Sequence, residues 1–333
     1  MGDFPSYRQL CERTDAPAGS SWGVFGPDDE LGTLNHLTPQ RVLAATRLPR
    51  TGTMINLDLP LDAFDPALIP TRKPPQHHMF ANNPYHRDEY VDGFYPQATS
   101  QLDGLRHIGH PDFGFYGGAD PATFTTDEPT LGISRFAEHG IVGRGVLVDV
   151  ARYLAAQGTP IDLDSNQAVP IDVVAKAADA QGVELRPGDI LMLRFGWVRH
   201  HLHERDAAAR ADAVRAIHCP GIAQRRETVE WLWDNQFAIV AADNFALEAW
   251  PPVPDSPYVS EAEQAGRLPR SAHTGLLHRI LIPLLGMVIG ELWALDELAR
   301  ACAADGVYEC LVVAKPLMLV GGAGSPSNAI AIR

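Results

Sequence analysis

The chain has 333 residues, 45% of them hydrophobic and 20% charged, the balance of a soluble globular protein with a substantial core. A formal net charge of −14 with no basic run excludes a nucleic-acid partner, because phosphates need clustered Lys and Arg. Pro283, Gly286, Gly290 and Glu291 interrupt the most apolar stretch, around Leu281–Leu285, and no apolar signal core is seen near Met1, so neither a membrane span nor a leader is expected.

Cys11, Cys219, Cys302 and Cys310 are scattered without C-x-x-C spacing. Disulfides and a zinc knuckle are therefore not expected, and a cytoplasmic location is. Residues 1–21 read as an N-terminal extension, and Trp22–Asn35 as a glycine-punctuated loop. Thr38-Pro39 predicts a helix, with Thr38 as N-cap and Pro39 at the first helical position, ending near Thr46. Met54–Leu59 alternates and predicts a strand.

Residues 60–96 are rich in Pro, His, Asn and Tyr with little periodicity, which predicts a lid or binding loop. His77, His78 and His86 lie there without fixed spacing and are expected to be exposed or substrate-facing, not metal ligands. Strands are then predicted at Val146–Val150, Ile190–Arg194, Ala238–Ala242 and Leu311–Ala314, and helices at Ile171–Ala180 and Arg225–Asn235. The alternation defines an α/β protein. No repeat or linker divides it, so residues 1–333 are read as a single domain.

Four segments can carry chemistry. Asp103 and His107 lie four apart in the polar run Gln97–His107, just after the aromatic turn Phe94-Tyr95-Pro96; a carboxylate beside an imidazole suits metal binding or proton transfer. His278 and Glu291 flank an apolar stretch, and a carboxylate buried there needs a partner or a metal. Asp243 follows an apolar strand, a place for a ligand-binding group or for a helix cap. Tyr116, in the aromatic loop Phe113–Gly118, either donates a hydrogen bond to substrate or packs. The glycine-rich Gly321–Pro326 lacks the Lys-Ser/Thr of a phosphate loop and reads as a turn packed against the site.

The run Gln97–His107 resembles the metal-binding signature of the cyclase family, which includes kynurenine formamidase and isatin hydrolase: His-x-Gly-Thr-His-x-Asp-x-x-x-His. Asp103 and His107 match it, Gln97 and Gln101 stand in for the two leading histidines, and Thr99-Ser100 replaces Gly-Thr. The resemblance spans roughly Trp22 to Asn328. It implies an α/β fold of the swivelling β/β/α type, with a central β core flanked by helices, in a homodimer or homotetramer. It also implies a metal-dependent hydrolase of a C–N bond, an amide or lactam, in a small aromatic or cyclic substrate.

By the same resemblance, Gln101, Asp103, His278 and Glu291 hold a metal, positions Gln97, Asp103 and Glu291 match a second metal site, and His107 does acid/base work beside Asp103. Gln97, Tyr95, Tyr116 and Asp243 are the expected substrate contacts. A glutamine oxygen binds zinc more weakly than imidazole, so one divalent ion, Mn²⁺ or Zn²⁺, is the expectation, with oxygen-rich ligation favouring manganese or magnesium. Two alternatives stay open. One is metal-free ring closure, dehydration or lactone opening by the same carboxylate and histidine cluster. The other is a non-catalytic binding protein.

Overall fold

Apolar runs without alternation form strands buried on both faces, and three such runs lie at the centre of this chain. In the computed structural model, which describes residues 4–333, thirteen strands are found among the described residues. They are β1 (Met54–Asn56), β2 (Gln76–Asn83), β3 (His86–Asp92), β4 (Gln101–Asp103), β5 (Ile141–Val148), β6 (Ala168–Val169) and β7 (Ile190–Leu193). The rest are β8 (Gly221–Ile222), β9 (Ile239–Ala242), β10 (Val288–Glu291), β11 (Glu309–Ala314), β12 (Gly324–Pro326) and β13 (Ala329–Ile332).

Nine of these form one mixed sheet in the order β1-β13-β11-β5-β7-β9-β10-β4-β12. Its centre, β5-β7-β9-β10, is parallel, with Val146 opposite Leu191 and Val240 opposite both Leu191 and Ile289. Both wings are antiparallel. Helices Pro39–Ala45, Ile171–Gln181 and Asp296–Asp305 pack against β5. The chain is thus a single-domain α/β protein with a large curled sheet flanked by helices, as the resemblance implies. No helix of the described residues is long and apolar enough to cross a membrane.

Several boundaries follow the sequence. Thr38 accepts the Arg41 N–H at 3.4 Å and starts its helix, and Gly182, at φ 68°, ends the helix Ile171–Gln181. Others differ for local reasons. β5 begins at Ile141, because Gly143 and Gly145 break the apolar run without breaking the strand; a Cβ on them would meet Leu37 at 2.8 Å and Val312 at 2.3 Å. Asp149 caps the next helix by accepting the Arg152 N–H at 3.0 Å, so Val150 is helical. β1 stops at Asn56, whose side chain bonds Asp58 in both directions and turns the chain.

The segment 60–96, expected to be a lid or binding loop, contains two strands that its composition does not reveal. Its first part, Leu68 to Arg72, lines a cavity, while β2 and β3 form an exposed hairpin. Exposure on both faces removed the alternation that would have revealed the strands. His77, His78 and His86 pair there with Glu89, Asp92 and Asp88. Of the expected extension 1–21, residues 1–3 lie outside the described residues. The remainder packs on the body: Phe4 stacks on Trp233 at 5.0 Å, and the Tyr7 N–H donates to Asp234 at 2.7 Å.

Two buried histidines give the fold an acid limit. His36 sits between the rings of Phe4 and Phe25, 4.9 and 5.3 Å away, with Nε2 unpaired; burial, then the charge of Arg41, lowers its pKa to about 4. His201 lies on Trp197 at 4.9 Å and its Nδ1 accepts from Arg205; burial, then that guanidinium, takes it to about 4 as well. Below about pH 6.5 the unfolded chain protonates both groups while the folded chain does not, so stability is lost as pH falls from about 6.5 to about 4. At about 1.4 kcal/mol per unit, each contributes up to about 3 kcal/mol of that loss. His36→Leu is expected to flatten the decline in urea-unfolding free energy between pH 7 and 4.5, and an unchanged slope would contradict this.

Candidate active site

Side chains alternate along a strand, so β4 places Gln101 and Asp103 on one face and turns Leu102 into the core. β10 runs antiparallel beside it with Glu291 directly opposite Gln101. On the other flank Gly324 of β12 faces Asp103. A Cβ there would lie 2.7 Å from the Gln97 side chain, so glycine leaves the space that the Gln97 amide fills.

His278 opens the short helix His278–Leu281, after which the chain turns back into β10 and returns Glu291 to its side. His278 Nε2 is 2.9 Å from Glu291 Oε1 and 3.8 Å from Asp103 Oδ2. Asp103, His278 and Glu291, all buried, offer donor atoms within 4.8 Å of one another.

Behind the imidazole stands Glu248, fully buried. Its Oε1 is 2.8 Å from His278 Nδ1 and accepts the His278 N–H at 3.0 Å, and its Oε2 accepts the Leu277 N–H at 2.7 Å. An acceptor-only carboxylate on Nδ1 fixes the ring and leaves Nε2 facing the cavity. Leu247 and Leu292, each adjacent to a site glutamate, hold φ of 60° and 57°, a left-handed conformation costing about 1–2 kcal/mol in a leucine. Asn244 braces both: its side chain donates to the Leu247 carbonyl at 3.2 Å and its carbonyl accepts the Leu292 N–H at 3.0 Å.

The environment sets the proton affinities. Burial alone would lower the pKa of His278, but hydrogen bonds to Glu248 and Glu291 together outweigh it and raise the pKa well above 6.5. Burial, aided by the nearby charge of Asp103, raises Glu291 to about 7. Burial lowers the pKa of His107, although Asp103 opposes it with Oδ1 at 3.8 Å from Nε2.

Gln97 Nε2 donates to Asp103 Oδ1 and Gln101 Nε2 donates to Glu291 Oε2. Two buried acceptors then have no partner: Gln101 Oε1 and Asp103 Oδ2. Each unmet buried acceptor costs about 1–3 kcal/mol, and a cation would satisfy both. With metal–ligand bonds of about 2.0–2.2 Å, donors around one ion lie roughly 3–4 Å apart, so Asp103, His278 and Glu291, within 4.8 Å of one another, need only a small closure to hold one divalent metal, with the unpartnered Gln101 Oε1 free to join them. No second cluster of three His, Cys, Asp or Glu donors exists among the described residues.

Gln101, His107, His278 and Glu291 form the floor of a cavity of about 320 Å³. Leu68, Phe245, Trp250 and Leu276 supply apolar walls, and Arg72 and His273 polar ones. A larger open groove of about 690 Å³, between Phe25–Leu31 and Arg135–His139, contains none of the cluster.

None of the four expected substrate contacts lines the cavity. Tyr116 is buried with its hydroxyl donating to Asp29 Oδ2 at 2.8 Å, held protonated by burial and that carboxylate. Asp243, fully buried, accepts the N–H groups of Phe195 and Gly196 at 2.6 and 2.8 Å; it clamps the end of β7 and neither caps a helix nor reaches the cavity. Tyr95 is half-buried outside the cavity lining, and Gln97 stands behind Asp103 as its hydrogen-bond donor.

Glu248, Arg72 and His273 escaped sequence reasoning. Glu248 ends the segment Ala241–Glu248, but its histidine partner lies 30 positions on, beyond any local pattern. Outer-shell carboxylates on metal-binding histidines are worth roughly 10–100-fold in metal affinity. Glu248→Gln is therefore expected to weaken divalent-metal binding by about that factor in a calorimetric titration, and unchanged affinity would remove Glu248 from the site.

The family model described as "Putative cyclase" matches residues 55–249. A solved structure described as a novel cyclase is 33% identical with a TM-score of 0.78, the match covering 94% of this chain and 99% of that one. The chain belongs to the cyclase family. Its fold is also similar to that of an isatin hydrolase bound to the product analogue thioisatinate, at 17% identity and TM-score 0.53, covering 84% of this chain and 91% of that one. Isatin hydrolase A from Labrenzia aggregata, bound to benzyl benzoate, is similar at 16% identity and TM-score 0.55, covering 90% and 98%. No curated protein gives a significant sequence match.

Proposed function

We propose that this chain is a hydrolase that uses one divalent metal to open a C–N bond, an amide or lactam, in a small aromatic or cyclic substrate. The observation that carries the reading is the pair of unpartnered buried acceptors, Gln101 Oε1 and Asp103 Oδ2, beside His278 Nε2 and Glu291 Oε1 under an apolar cavity. Three oxygen-bearing residues and one imidazole favour Mn²⁺ over Zn²⁺. When bound, the ion supplies Lewis acidity toward the carbonyl and an activated water.

The chain's own residues do the rest. Glu248 holds the His278 ring, and Gln97 holds Asp103. His107, at the cavity floor and kept neutral by burial, accepts a proton at Nε2 from the attacking water and delivers it to the leaving nitrogen, with Asp103 stabilising the imidazolium. Phe245, Trp250 and Leu276 exclude water and hold the apolar body of the substrate. Four unpaired cysteines support placing the reaction in a reducing cytoplasm.

One observation favours a second reading, metal-free acid/base ring chemistry: His278 bridges Glu248 and Glu291, while the Gln101 amide donates to the other oxygen of Glu291 and the Gln97 amide to Asp103 Oδ1. A panel of aromatic and cyclic amides, lactams and lactones separates the two. The hydrolase reading predicts amide or lactam opening that a chelator abolishes and Mn²⁺ restores. Turnover unaffected by chelator, or confined to lactones, would overturn it in favour of the second.

A further inference from the structure

Resting on the hydrolase reading, we infer that the substrate carries a compact anion, a carboxylate, beside its apolar ring, and that Arg72 is the specificity residue that reads it. Among the described residues two guanidinium groups line the cavity, those of Arg72 and Arg215. Arg215 pairs with Asp212 at 2.8 Å, its side chain 78% exposed, and faces solvent. Arg72 is half-buried and has no ion-pair partner among the described residues.

Of the five N–H donors on a guanidinium, Arg72 uses one, from Nη1 to the Gln97 carbonyl. That bond, and the Arg72 N–H donating to the Ile69 carbonyl at 2.9 Å, anchor the residue in the turn whose Leu68, Ile69 and Pro70 also wall the cavity. A guanidinium held this way offers a planar fork that matches a carboxylate in two parallel hydrogen bonds.

The remaining walls fix the rest of the molecule. Phe245 and Trp250 meet edge to face, 5.3 Å apart at 82°, a corner that takes a flat ring. A volume of about 320 Å³ admits one or two rings. With one divalent ion on Asp103 and Glu291, the ion and the two carboxylates carry no net charge, so Arg72 is the unpaired guanidinium left to read a substrate carboxylate.

Two measurements test this. Calorimetric titration of the wild-type protein with benzoate and with neutral benzamide needs no turnover, so it stands even if the hydrolase reading fails. Benzoate is expected to bind at least tenfold tighter than benzamide, with the preference lost in Arg72→Met and partly kept in Arg72→Lys. Equal binding of the two probes by the wild type, or the same preference in Arg72→Met, would overturn the inference. Where an amide substrate is turned over, the ratio of kcat/KM for carboxylate-bearing and neutral versions should fall at least tenfold in Arg72→Met. An unchanged ratio contradicts the role of Arg72 and leaves the hydrolase reading intact.

Discussion

Asp103→Asn should bind its divalent metal at least about 100-fold more weakly than the parent, beyond the loss typical of an outer-shell partner, while remaining folded. The carboxylate is 1% exposed and its Oδ2 faces His278 Nε2 at 3.8 Å without any donor. Asparagine keeps the shape and one acceptor for Gln97, but loses the charge that binds a cation. Removing one of two neighbouring carboxylates also relieves the repulsion that helps raise Glu291, so the thermal midpoint is expected to hold or rise. Turnover should disappear with the metal. Tight metal binding in this variant, measured by competition with a fluorescent chelator, would take Asp103 out of the ligand set.

The second large effect is expected at His107. It lines the cavity with Nε2 3.8 Å from Asp103 Oδ1, and burial keeps the ring neutral and ready to accept a proton. General acid/base groups contribute about 10²–10⁴-fold, so His107→Gln should lower kcat by that range. Metal affinity should stay within about threefold, because outer-shell effects run to tenfold or more and His107 is not in the ligand set. A parallel loss of kcat and metal affinity would reassign His107 to the metal.

How much of this was legible in the sequence depended on whether the signal was local. The sheet centre, Ile190–Leu193 and Ile239–Ala242, consists of short apolar runs between turn residues, and the Thr38-Pro39 start is a cap written in adjacent positions. β4 is a three-residue polar strand, and only the family resemblance of Gln101, Asp103 and His107 marked it. His278 and Glu291 were traceable through the unexplained carboxylate at the end of an apolar run.

What failed was non-local or depended on side-chain partners. Tyr116 and Asp243 carry plausible chemistry for a pocket, but Asp29 and the N–H groups of Phe195 and Gly196 claim them first. Glu248 and Arg72 gained their positions only when the chain closed around His278 and Gln97. The β2–β3 hairpin, exposed on both faces, lacks the hydrophobic alternation by which strands are read.

The central claim, one divalent metal on Asp103, His278 and Glu291, is tested most directly by elemental mass spectrometry of protein purified without a His-tag, before and after soaking in Mn²⁺ and Zn²⁺. Close to one ion per chain is expected in the wild type, lost in both Asp103→Asn and His278→Ala. No bound ion in the soaked wild type, or an ion retained by both variants, would contradict it.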